Sequence, residues 1–134
     1  MSISLTYRLD ANTVSPAIAR AHTAHLIDAR TLPSGRGAAA LLVVSELVTN
    51  AVIHGSEPID LALEINADVL RIEVGDGDPA VDDVAMRNRS SDDTHAPDGR
   101  GLRIVDALSD SWGVSDRPSG KTVWATVRIG PVQP

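Results

Sequence analysis

The sequence predicts an α+β two-layer sandwich, in which a mixed, mostly antiparallel sheet carries helices on one face only. Apolar and polar residues alternate in five segments, which is typical of strands with one buried and one polar face. Two helical segments follow the first strand, and a third precedes the last two strands. The 134 residues (1–134) are expected to form one domain, which can bury about two-thirds of its unfolded surface.

The first half of the chain begins with an alternating strand over residues 3–9. A helix is expected to start at Ser15-Pro16, because Ser is a good N-cap and Pro is tolerated in the first turn, and to run to about residue 30. A second helix spans roughly residues 37–55 and ends at a glycine. It is apolar almost all round, so we expect it to be largely buried.

The second half begins with two alternating strands, residues 59–65 and 70–74, joined by a turn at the sequence NAD. A polar stretch follows at about 79–98, and its length with little regular pattern suggests a functional lid or a disordered loop. A third helix comes next. Two strands containing SWGV and TVWATVRI close the chain.

Composition excludes several classes of function. The chain has no Cys, so disulfides and thiolate metal sites are absent. A formal charge of −6 argues against a nucleic-acid surface, whose affinity comes from neutralising phosphates. The longest apolar run, residues 38–44, is far shorter than the ~20 residues needed to cross a bilayer. We therefore expect a soluble, cytoplasmic protein without nucleic-acid or membrane partners.

The second helix carries a polar stripe, because Glu46, Asn50 and His54 follow one another at intervals of four residues. An unpaired buried polar group costs about 1–3 kcal/mol, so the stripe needs a reason. In one interpretation Glu46 caps a neighbouring backbone group and Asn50 faces a loop. In the other, the Asn50 oxygen is a ligand for Mg²⁺ and Glu46 activates a nucleophile, which together suit phosphoryl transfer. We favour the second.

Two short glycine-containing sequences also need an interpretation. GRGL at residues 99–102 is either a plain turn or a helix start at which a phosphate approaches the backbone. SGKT at 119–122 resembles the end of a P-loop. We reject a P-loop there because Ser115 stands where its first glycine is needed and because strand alternation, not a helix, follows.

Three segments occur in a characteristic order: ELVTNAVIHG on a helix, VGDGDP at a strand end, and GRGLRIV after the predicted lid. Together they resemble the ATP-binding domain shared by gyrase, Hsp90, histidine kinases and MutL, the GHKL superfamily with its Bergerat-type fold. Within it, the chain particularly resembles bacterial anti-sigma-factor serine kinases and their single-domain actinobacterial relatives. The resemblance runs from the first helix through the closing strand.

The resemblance implies a role for individual residues. Glu46 matches the general base, and Asn50 matches the Mg²⁺-binding asparagine. Asp76 matches the carboxylate that accepts the adenine amino proton, and this selects ATP over GTP. Gly77 lies where the backbone passes close to the base. The other matching positions are Gly99, Arg100, Gly101 and Leu102 in the phosphate loop and Thr122, which supports the adenine site through water.

The chain departs from the family pattern at one motif. The family usually has D-x-G-x-G, whereas this chain has Asp76-Gly77-Asp78-Pro79. The predicted lid also offers few cations for a γ-phosphate, and Arg87, Arg89 and Arg100 are the candidates. These departures keep a function without phosphotransfer open.

The resemblance implies an ATP-binding, Mg²⁺-dependent anti-sigma factor that phosphorylates an anti-anti-sigma protein on serine. The alternative is a nucleotide-sensing regulatory module without phosphotransfer, and a slow ATPase is a third candidate. The implied partners are an anti-anti-sigma protein, a sigma factor, or both, and family members often form homodimers. The first helix, with Arg20 exposed, is where a partner or second subunit is expected to bind.

Overall fold

The computed structural model describes residues 2–29, 36–79 and 97–130. The described residues form a five-stranded sheet in the order β1-β2-β3-β5-β4, and every neighbouring pair of its strands is antiparallel. The α+β fold is thereby confirmed, although the described sheet is antiparallel throughout rather than mixed. The elements are β1 (Ser2–Leu9), α1 (Ser15–Ala29), α2 (Arg36–His54), β2 (Ile59–Asn66), β3 (Val69–Asp76), α3 (Pro97–Leu108), β4 (Ser111–Arg117) and β5 (Gly120–Arg128).

The alternating pattern in the central strands separates a helix-covered face from an open face. In β2 every second residue, starting with Ile59, is fully buried because its side chain points towards the helices. β3 continues this pattern, and the tight turn between β2 and β3 sets their register by placing Asn66 opposite Val69. The buried residues of these two strands are Ile59, Leu61, Leu63, Ile65, Leu70, Ile72 and Val74.

Helix α2 is the central element of the helical layer, since it packs against α1, α3 and strands β2, β3 and β5. By length and composition alone α2 could cross a bilayer. In the fold, however, one side of it forms the core together with the sheet, and its buried residues include Val43, Val44, Leu47 and Val48. The opposite side is exposed at Leu42 and Ile53.

Helix α3 begins at Pro97, so Gly99 of GRGL lies in its first turn and Gly101 at the start of the second. Leu102 and Val105 are fully buried and fix this helix beside α2. Residues 80–96 lie outside the described residues. The predicted lid, with Arg87 and Arg89, falls almost entirely in that range.

The burial of α2 predicts a difference between two leucines on the same helix. Replacing the buried Leu47 with alanine should lower the free energy of unfolding by about 2–5 kcal/mol, because it leaves a cavity in the core. Leu42→Ala, at a position that is 42% exposed, should cost less than about 1 kcal/mol. Urea denaturation measures both. Equal losses would contradict this packing of α2.

Candidate functional site

A small cavity lies where α2, α3 and the ends of β3 and β5 meet. Its volume is about 10 Å³, roughly the space of one water molecule. Three residues matched by the family resemblance, Asn50, Asp76 and Leu102, line this cavity, and Lys121 lies with them. Four apolar residues complete the lining: Leu47, Ala51, Val74 and Val123. The fold therefore brings together residues that are far apart in sequence, but a purine requires the cavity to widen.

Asp76 is the last residue of β3 and its side chain is only 2% exposed. Its Oδ1 accepts a hydrogen bond from the backbone N–H of Asp78 at 2.8 Å and another from the Lys121 ammonium at 3.1 Å. The same ammonium donates to the carbonyl oxygen of Asp78 at 3.2 Å. The two buried charges thus compensate each other and hold the turn that follows β3.

Lys121 faces Asp76 because the two residues are directly opposite in the β3–β5 register. Its side chain points to the same side as Val123, Ala125 and Val127, which are core residues. Our sequence reasoning missed this residue after rejecting SGKT as a P-loop. A signal was present, because Lys121 is the only lysine in the chain and stands at an inward position of an alternating strand. Lysine is almost never fully buried unless it is paired.

Thr122 lies on the open face of the sheet, opposite Gly75 and away from Asp76. On this face the Arg117 guanidinium crosses Gly75 and donates to Asp60 at 3.2 Å. A Cβ at Gly75 would lie 1.7 Å from that guanidinium, so the crossing depends on the glycine. Thr122, which the resemblance assigned to the adenine site, therefore points away from Asp76, and Lys121 occupies the inward position beside it.

Gly77 is fixed by packing against the chain that precedes β2. Its N–H donates to the carbonyl oxygen of Ser56 at 2.6 Å. A Cβ at Gly77 would lie 2.5 Å from the carbonyl oxygen of Glu57. This close approach requires glycine for structural reasons, whether or not a base binds beside it.

Glu46 and Asn50 lie one turn apart on α2, and both are partly buried. Burial raises the pKa of Glu46 above its ordinary value, since the ionised carboxylate loses hydration. The Asn50 side-chain nitrogen is buried and has no hydrogen-bond partner within the part of the chain that the structure describes. Such an amide is costly unless a water or a ligand satisfies it.

Of the phosphate-loop residues, Gly99 and Arg100 lie in the first turn of α3 and Gly101 begins the second, so Gly99 is the one whose backbone N–H has no partner inside the helix. The side-chain surroundings of these three residues fall outside the described part. Leu102 contributes an apolar wall to the cavity. Among the described residues, no three His, Asp or Glu side chains are grouped to hold a metal.

The amino-acid sequence of residues 8–127 matches the family model of the histidine kinase-like ATPase domain. The chain belongs to this family. It is accordingly a member of the GHKL superfamily, as the three motifs implied. A comparison of this chain with curated proteins gives no match.

Two solved structures share the fold. The crystal structure of the RsbU and RsbW domains of Rv1364c from Mycobacterium tuberculosis has a TM-score of 0.70 and 21% sequence identity, over 95% of this chain and 32% of that chain. The histidine kinase domain of the blue-light activated histidine kinase from Erythrobacter litoralis EL346 has a TM-score of 0.52 and 22% identity, over 70% and 45% respectively. This chain therefore spans less than half of either protein chain. Structural likeness at such low sequence identity shows a shared fold alone.

The ion pair predicts a large cost for removing one partner. Lys121→Met leaves the Asp76 carboxylate buried without its counter-charge, so the free energy of unfolding should fall by about 3 kcal/mol or more. The double variant Asp76→Asn, Lys121→Met should recover most of this loss. As a control, Glu73→Gln breaks an exposed pair with Arg71 and should cost less than about 1 kcal/mol. Similar costs for Lys121→Met and Glu73→Gln in urea denaturation would rule out a buried pair.

The raised pKa of Glu46 predicts a pH-dependent gain in stability for Glu46→Gln. The folded chain binds the Glu46 proton more tightly than the unfolded chain does. The stabilisation that this proton gives the folded chain is therefore complete below pH 4.5 and is lost as the pH rises through the folded pKa. At pH 7 Glu46→Gln should therefore have a higher Tm than the wild type, with a smaller difference at pH 4. Glu64→Gln, at an exposed site, controls for loss of a negative charge. A gain at pH 4 that matches the gain at pH 7 would exclude burial as the cause.

Proposed function

We propose that the chain is an ATP-binding, Mg²⁺-dependent anti-sigma factor and protein serine kinase that phosphorylates an anti-anti-sigma partner. The observation that carries this proposal is the position of Asn50 on the cavity wall, one turn from Glu46 and beside the buried Asp76, with a side-chain nitrogen that has no partner among the described residues. Membership of a histidine kinase-like ATPase family supports a site for ATP between these residues.

The base is proposed to bind at Asp76. Both hydrogen bonds to this side chain are accepted by Oδ1, so Oδ2 remains as an acceptor for the adenine amino group. Guanine has no amino group at the corresponding ring position, which gives the site a reason to prefer ATP. Gly77 keeps the backbone beside the base free of a side chain.

The triphosphate is proposed to lie between α2 and the first turn of α3. Asn50 would hold Mg²⁺ through its side-chain oxygen, because Mg²⁺ prefers oxygen ligands and shares them with phosphate and water. When bound, the ion neutralises charge on the phosphates. Gly99 is proposed to bind the phosphate oxygens through its backbone N–H and Arg100 through its guanidinium, assisted by the positive end of the helix dipole, while Gly101 leaves space for their approach.

Glu46 is proposed to act as the general base. Its carboxylate accepts the proton of the substrate serine hydroxyl, while that oxygen forms a bond to the γ-phosphorus and the bond to the β–γ bridging oxygen breaks. Phosphoserine and ADP are the products. Partial burial helps, since a base with a raised pKa is better matched to a hydroxyl proton near neutral pH.

The proposed biological setting is regulatory. The chain resembles anti-sigma-factor serine kinases in its motifs and a structure containing an RsbW domain in its fold. We infer that its partners are an anti-anti-sigma protein, a sigma factor, or both, and that residues 1–134 act as one cytoplasmic domain, alone or as a homodimer. We propose that such a partner binds at the exposed surface around Arg20 on α1, whose guanidinium donates to Ser45 of α2.

A nucleotide sensor without phosphotransfer is the second candidate. The sequence Asp78-Pro79 replaces part of the usual family motif. Lys121 also holds Asp76 from within the pocket, and the cavity has room for about one water. These observations favour a protein that binds a nucleotide without transferring its phosphate.

Calorimetry and transfer of radiolabelled phosphate test the proposal together. ATP with Mg²⁺ should bind and GTP should not, and Asp76→Asn should abolish binding because it replaces one acceptor oxygen with a donor. Glu46→Gln should still bind ATP but should lose transfer to the serine of a partner by a factor of about 10²–10⁴. The exposed Glu64→Gln variant is the control and should keep both properties.

The outcomes separate the candidates. ATP binding without transfer, in the wild type and with every partner supplied, would support the sensor. Equal binding of ATP and GTP would contradict the assignment of Asp76.

A further inference from the structure

The only lysine of the chain is buried at the proposed base end of the pocket, and the proposed kinase chemistry does not use it. The Lys121 side chain is 4% exposed and its partner Asp76 is 2% exposed. Its position on the cavity wall places the ammonium next to the acceptor assigned to adenine. A buried charge at such a point affects any ligand that reaches Asp76.

The pair has one hydrogen-bonding position left on each partner. An ammonium has three donors, and Lys121 uses two of them, one towards Asp76 Oδ1 and one towards the Asp78 carbonyl. Asp76 accepts both of its hydrogen bonds at Oδ1, which leaves Oδ2 without a donor among the described residues. Together the two side chains have one donor and one acceptor that no described residue uses.

The Watson–Crick edge of adenine has the complementary pattern, because the N6 amino group is a donor and the neighbouring N1 is an acceptor. We propose that Lys121 is a specificity-determining residue that donates a hydrogen bond to adenine N1 while Asp76 accepts one from N6. This inference rests on the proposed binding of ATP and adds a second contact to its base.

The energetics of the ion pair favour this arrangement over displacement of Lys121. A base that separated the pair would leave two buried charges without compensation, which is strongly unfavourable. A base that meets both groups keeps the pair and satisfies the remaining positions. The cavity of about 10 Å³ still has to widen, and the flexible stem of Lys121 can shift while its head stays beside Asp76.

Two ATP analogues isolate the contact to N1. In 1-deaza-ATP a C–H group replaces N1, whereas 7-deaza-ATP keeps N1 and serves as the matched control. Calorimetry should show that wild-type chain binds 1-deaza-ATP about tenfold or more weakly than ATP, the loss expected for a hydrogen bond to a charged group. 7-deaza-ATP should bind much as ATP does.

A single lysine also gives a direct spectroscopic signal, since labelling with ¹⁵N-lysine marks only Lys121. ATP and 7-deaza-ATP should shift its side-chain ¹⁵N resonance, and saturating 1-deaza-ATP should shift it much less. Lys121→Arg keeps a charged donor and should retain the preference for ATP over 1-deaza-ATP, whereas Lys121→Met should lose it.

The wild-type comparison decides the matter even if a variant fails to fold. Equal binding of ATP and 1-deaza-ATP, with the same shift of the Lys121 resonance, would overturn the role of Lys121 and leave ATP binding intact. Tighter binding of GTP than of ATP would overturn the contact to adenine, because guanine presents its donor and acceptor in reverse order. Failure to bind any of these nucleotides would overturn the proposed function itself.

Discussion

The ion pair between Asp76 and Lys121 determines the shape of the molecule at the end of the sheet where the nucleotide is proposed to bind. Removing two charges from water is costly, and this pair is tolerated because its members bond to each other and to the backbone of Asp78. These contacts hold the end of β3, the turn after it and the start of β5 together. They also orient the carboxylate that is proposed to meet the base.

The rest of the pocket depends on how α2 lies across the sheet. Leu47 and its apolar neighbours bury one side of the helix, and this orientation brings Asn50 to the cavity with Glu46 one turn away. An amide nitrogen with no partner among the described residues is tolerated there because the overall burial of α2 offsets its cost. A stable aliphatic core therefore supports a polar site that is itself unfavourable without a ligand, which is a common property of binding sites.

Periodicity explains why so much of this arrangement could be predicted from sequence. Alternation marked the strands and the four-residue stripe marked the Glu46–Asn50 face, because both patterns depend only on local backbone geometry. Predicting which of Lys121 and Thr122 points towards Asp76 requires the strand register, since a shift of one residue exchanges the two faces of a sheet. The contact that demands glycine at Gly77 joins residues about twenty positions apart, so nothing local could reveal it.

A crystal structure of the chain with Mg²⁺ and a non-hydrolysable ATP analogue tests the central claim most directly. The adenine amino nitrogen should lie within hydrogen-bonding distance of Asp76, the Asn50 oxygen should coordinate the metal ion, and the phosphates should contact the first turn of α3. A base bound elsewhere on the molecule, with the cavity between α2 and β5 still closed around an unchanged Asp76–Lys121 pair, would contradict it.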